Sequence, residues 1–192
     1  MTSIADKVRA WHVPLSEGEA TLGEAHDKLS AFGLNQDDIP FLIQLVENPK
    51  YDFPGVELFS GATDLRAHDQ IHILLGRGLL PKDEAFVLGF TMGSTDNVGQ
   101  MEERLFSFFT KYLYPRAYRF SDEDIRVFRD AVRLGFISDV QRLDQVDYES
   151  LRGLKLAEAR RRIGLEDDLL RAYYAIEKNR YAHSFESQRL LD

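Results

Sequence analysis

Asp64-Leu-Arg-Ala-His68-Asp69-Gln-Ile-His72-Ile-Leu-Leu75-Gly76-Arg77-Gly78-Leu-Leu80-Pro81-Lys-Asp-Glu84 is the stretch from which both the fold and the chemistry of this chain are read. Its first half predicts a helix from about Ser60 to Leu75. On such a helix His68 and His72 stand one turn apart on one face, with roughly 5–6 Å between their β-carbons, close enough to share one ion. Glu84 lies twelve residues beyond His72 and along one straight helix would be roughly 18 Å away. The chain must therefore turn. Gly76-Arg77-Gly78-Leu79-Leu80-Pro81 supplies glycines to end one helix and a proline suited to the first turn of the next. A short αα-hairpin then brings Glu84 back beside the last turns of the first helix.

Two imidazoles and two carboxylates form a natural ligand set for a divalent metal. His68, Asp69, His72 and Glu84 are the candidate metal ligands, and Asp69 and Glu84 are the carboxylates expected to take part in catalysis. Asp69, three residues before His72, either joins the donors or orients that histidine from behind. Asp64, one turn before His68, is placed to hydrogen-bond that imidazole. The donors suit zinc, iron(II) and manganese(II) alike. If one carboxylate stays back, three ligands leave a position open for water or substrate.

His68-Asp69-Gln-Ile-His72, eleven residues, then Glu84 resembles the signature of the coenzyme Q (ubiquinone) biosynthesis protein 4 family. The likeness is confined to about residues 51–135, with Ala67 where the family pattern carries a basic residue. The resemblance implies an all-helical protein with a metal at the motif, zinc foremost, and a greasy groove for a polyprenylated ring. It also implies a role in ubiquinone assembly, either in oxidative removal of the ring carboxyl group, as a metal-dependent decarboxylase or lyase, or as a scaffold.

The composition is that of an ordinary folded domain: 192 residues, 44% hydrophobic and 29% charged, enough to bury about 70% of the surface of the unfolded chain. There are no cysteines, which excludes disulfides and thiolate ligands. A net charge of −8, spread along the chain, argues against a broad nucleic-acid surface. The basic run Arg160-Arg161-Arg162 reads as a solvated helix face or an anionic contact, though it falls short of the about four to eight basic residues of lipid-binding clusters. No apolar run reaches the about 18 residues of a membrane span, and no signal-peptide pattern opens the chain. A cytoplasmic protein with peripheral membrane association is expected.

The rest of the chain reads as all-α, a single-domain bundle of about seven to eight helices around a central apolar hairpin. Residues 1–138 form the main domain with the metal motif. Residues 139–192 form a helical extension packed on it or on a partner subunit, so a homodimer is expected. Helices are predicted over about Glu17–Phe32, from near Asp37 through Val46, over Ala85–Met92, over Gln100–Leu113, from a Ser121–Asp124 capping box onward, over Lys155–Ile163 and over Glu166–Ala182. Asn48–Gly55 reads as a loop, Asp139–Arg152 as a polar linker, and the last ten residues as frayed. Ala85–Met92 is apolar on nearly every side, so it is either central to the core or lines an apolar cavity, and Gly89 and Gly93 would let a neighbouring backbone or an isoprenoid come close. The aromatic corner from Tyr112 to Phe120 suits packing, a membrane interface or a flat ring.

The functional expectation is a metal-binding, ubiquinone-pathway-like protein handling a prenylated or otherwise hydrophobic aromatic ring. A metal-dependent phosphohydrolase of the His-Asp type, recruiting His26 and Asp130 or Asp139, is the alternative enzyme. A non-catalytic helical lipid carrier or scaffold with a structural metal is the third reading.

Overall fold

The computed structural model describes residues 4–31, 65–95 and 120–192. Among them the chain is all-α. The helices are α1 (Ile4–Ala10), α2 (Leu22–Ala31), α3 (Leu65–Leu75), α4 (Pro81–Gly93), α5 (Asp122–Ile137), α6 (Tyr148–Leu151), α7 (Leu156–Arg162), α8 (Asp167–Arg180) and α9 (Phe185–Gln188). A 3-10 turn spans Leu143–Gln145, and the only extended pairing among the described residues is a bridge between Thr21 and Lys155. No helix among them is long and apolar enough to cross a membrane. The expected helix near Asp37, the Asn48–Gly55 loop, the Gln100–Leu113 helix and the aromatic corner up to Tyr118 lie outside the described residues.

The turn between α3 and α4 follows the sequence closely. Gly76 has φ of 65°, the left-handed conformation that glycine adopts at no steric cost. Arg77 N–H donates to the His72 carbonyl at 2.9 Å and Gly76 N–H to the Ile73 carbonyl at 3.2 Å, the paired bonds of a Schellman end. Pro81 then opens α4, and Asp83 accepts from the Leu80 backbone at 3.3 Å.

α4 is central to the core. Twelve of its residues, Lys82 to Gly93, are buried, and it packs most extensively on α5. The contact is made at glycines: a Cβ on Gly89 would overlap the Phe128 carbonyl oxygen, one on Gly93 the Val132 carbonyl oxygen, and one on Gly135 the Phe90 carbonyl oxygen. The close neighbour at Gly89 and Gly93 is thus the backbone of α5. Gly93→Ala is expected to lower stability by about 1–3 kcal/mol through overpacking, read as a fall of several degrees in a thermal melt. An unchanged midpoint would mean that the two helices are not in backbone contact there.

Other boundaries differ from the periodicity for local reasons. α2 begins at Leu22, not near Glu17, because the Glu17 carboxylate accepts from the backbones of Glu19 and Ala20 at 2.9 and 3.0 Å and turns the chain before the helix. Thr21 and Glu24 then form a reciprocal capping box at 2.9 and 3.2 Å. Residues 139–152 are not a plain polar linker: Leu143, Tyr148 and Leu151 join the core, and Tyr148 donates to the Leu143 carbonyl at 2.7 Å. The last ten residues do not fray. Leu190 is fully buried, and α9 is capped by Ser184, which accepts from Ser187 N–H.

One apolar core holds Trp11 and Leu15 from the N-terminal segment, Phe86 and Phe90 of α4, Val127 of α5, and Tyr174 of α8. The stripe of α8 is buried at Leu170, Tyr173 and Tyr174, while Ile176 is half exposed. Arg160 departs from the reading of its basic run as a solvated face. It is buried and donates to the carbonyls of Leu74, Leu15 and Glu17 at 2.9, 2.8 and 3.0 Å, satisfying the C-terminal end of α3. Arg161 and Arg162 are exposed.

Candidate metal centre

The reversal at Gly76 carries Glu84 back to the histidine face of α3. His68 Nε2 lies 3.2 Å from Glu84 Oε2, His72 Nε2 lies 3.3 Å from Glu84 Oε1, and the two Nε2 atoms are 2.8 Å apart. His68, His72 and Glu84 are all buried, and each offers a ligand atom within 4.8 Å of the others'. Among the described residues this is the one group of three such side chains brought together.

Asp69 is not in that group. Its carboxylate is partly exposed and its Oδ2 stands 3.9 Å from His26 Nε2 on α2. One helical position accounts for the difference: His68 and His72 share a face, and the residue next to His68 is rotated away by about 100°. Asp64, the other proposed partner of His68, lies outside the described residues. Asp130 pairs with Arg180 at 2.8 Å, and Asp139 is exposed, its N–H donating to Glu166 at 3.2 Å. Neither they nor His26 join the three donors.

The spacing fits a metal. Donors about 2.0–2.1 Å from zinc stand about 3.3–3.4 Å apart at tetrahedral angles and about 2.8–3.0 Å apart at right angles, a range that takes in the 2.8 Å between the two rings and the 3.2 and 3.3 Å from them to the two Glu84 oxygens. The polar accounting points the same way. His72 Nδ1–H donates to the Gly78 carbonyl at 2.7 Å, so in the neutral ring Nε2 presents its lone pair to the group. Glu84 Oε1 is buried with no aligned hydrogen-bond donor among the described residues. One cation can satisfy lone pairs from two rings and a carboxylate at once, whereas a proton on His68 Nε2 serves one or two of them.

The electrostatics also favour positive charge. Burial pulls the His72 imidazole down, but the adjacent Glu84 carboxylate outweighs it and holds the ring above its ordinary range. Burial pushes Glu84 up, yet the neighbouring His72 and His68 rings hold its carboxyl well below the usual range.

A layer of residues with no motif spacing supports the group. Arg77 makes two hydrogen bonds to Glu177 of α8, at 3.0 and 2.7 Å, and lies between the rings of Phe86 and Tyr174. Asp83 pairs with Arg189 at 2.7 Å. All four side chains are buried. Their partners are more than a hundred positions away or nearly so, so no local pattern points to them. The chain matches no protein-family model, no curated protein and no solved structure.

Proposed function

We propose that this protein binds one divalent metal ion through His68 Nε2, His72 Nε2 and the Glu84 carboxylate, and uses it on an oxygen-bearing aromatic ring of the ubiquinone-pathway kind. The observation that carries the reading is the convergence of these three buried side chains, each offering a ligand atom within 4.8 Å of the others'. The His-Asp-x-x-His, eleven residues, Glu pattern supports the choice of ring chemistry.

Each residue has a distinct part. His72 is held in one tautomer by its bond to Gly78, with Nε2 turned toward the ion. His68 supplies the second nitrogen from the preceding turn. Glu84 balances charge and comes from the other helix, so binding clamps the α3–α4 hairpin. A bound zinc ion would supply Lewis acidity toward a phenolic or carboxylate oxygen at a position the three protein donors leave open. Asp69, outside the donors and facing His26, takes no part in holding the ion. The buried setting of the donors strengthens each electrostatic interaction with such an oxygen.

A scaffold role for the same metal is the second reading, favoured by the clamp across two helices. Titrating chelator-treated protein with Zn2+, with mass spectrometry of organic extracts alongside, tests the proposal. Binding of about one ion per chain and a co-purified polyprenyl ring compound are expected. A protein that takes up no zinc, iron(II) or manganese(II) would sink the metal reading, and metal binding without any ring ligand or turnover would leave the scaffold role.

A further inference from the structure

We infer that Arg189, near the C-terminus, is a positioning residue for the metal donors, acting through Gly78. This rests on the reading of His68, His72 and Glu84 as metal ligands and names what holds them in register. The Gly78 carbonyl accepts the Nδ1–H of His72 at 2.7 Å, so the orientation of that one peptide decides the tautomer and tilt of the ring. Gly78 lies beneath the Arg189 guanidinium: a Cβ built there would overlap Arg189 Nη2, and would stand 2.9 Å from Asp83 Oδ2. Arg189 Nη2 in turn donates to that Asp83 oxygen at 2.7 Å.

Asp83 precedes Glu84, so the guanidinium touches the two chain segments that present His72's partner and the carboxylate donor. Arg189 Nη1 also donates to the Arg9 carbonyl at 2.9 Å, a second anchor for the guanidinium. The C-terminal residues thus press the turn and the first residues of α4 into the geometry that the three donors need. A residue at this remove acts on affinity by orienting a ligand, and removal of such partners costs about 10–100-fold in metal binding.

The test is Zn2+ affinity by chelator competition on the full chain, with wild type beside Arg189→Met, Asp83→Asn, Gly78→Ala and Arg180→Met. Co2+ absorption spectra provide a second reading of the ligand field. Folding of each variant is checked by circular dichroism at a temperature well below its melting midpoint.

Arg189→Met and Gly78→Ala are expected to bind Zn2+ about 10–100-fold more weakly and to shift the visible Co2+ bands, while remaining helical. The double variant Arg189→Met/Gly78→Ala should be no weaker than the weaker of the two single ones, because both disturb the same contact. Asp83→Asn, nearly isosteric, keeps the test in force if Arg189→Met fails to fold, and should show the same loss. Arg180→Met, which breaks an exposed pair with Asp130, should bind as wild type does. Wild-type affinity and an unchanged Co2+ spectrum in folded Arg189→Met or Asp83→Asn would overturn the inference and leave the metal reading intact. Failure of the wild-type chain itself to bind Zn2+ or Co2+ would overturn both.

Discussion

Zinc content is expected to fall from about one equivalent in the wild-type protein to below about a tenth in His72→Ala and in Glu84→Ala, with His68→Ala close behind. Each substitution leaves two of three donors, and two neutral or mixed donors do not hold a labile ion against water and a chelator. His72→Ala should be the most damaging, because it removes the ring whose tautomer is fixed by Gly78. Asp69→Asn is the informative contrast. Its carboxylate faces His26 rather than the donor group, so metal content should stay near one equivalent. Metal analysis of the purified variants reads the outcome directly. If Asp69→Asn loses as much metal as Glu84→Ala, the three-donor assignment is wrong.

Arg77→Met is expected to lower stability by about 3–5 kcal/mol, the range for removing one partner of a buried ion pair. In a chain of this size that corresponds to a fall of about 6–20 °C in melting temperature. The reason is asymmetric. Glu177 is fully buried and would keep only Ser187 as a hydrogen-bond donor among the described residues, at 3.0 Å, while Asp83 would lose the Arg77 charge 3.9 Å away. Burial opposes charge on Arg77, but the Glu177 carboxylate outweighs it and holds the guanidinium firmly protonated. The double variant Arg77→Met/Glu177→Leu should be more stable than the sum of its single changes predicts, since it strands neither charge. Chemical denaturation of all four proteins checks this. An additive double variant would show that the pair is not coupled.

Much of the hairpin is legible before any coordinates. Gly76 ends a helix in the one conformation other residues avoid, Pro81 starts the next, and Ser121 with Asp124 caps α5 through reciprocal bonds of 3.2 and 2.7 Å. These are local signals, in which the side chain that determines the structure sits within a few residues of the backbone it controls. The Thr21–Glu24 box is equally local, but a helix expected from about Glu17 passes over it, and the Glu17 carboxylate turns the chain first.

The residue types at positions 68, 72 and 84 and the reversal between them are written in the sequence, and with them the chance of three donors meeting. Tertiary structure alone decided that Asp69 turns to His26, that Arg160 is a buried cap rather than part of a surface patch, and that Glu177 and Arg189 brace the turn from the far end of the chain. Periodicity reports which face of a helix a residue occupies. It carries no information on what another helix, a hundred positions later, will place against that face.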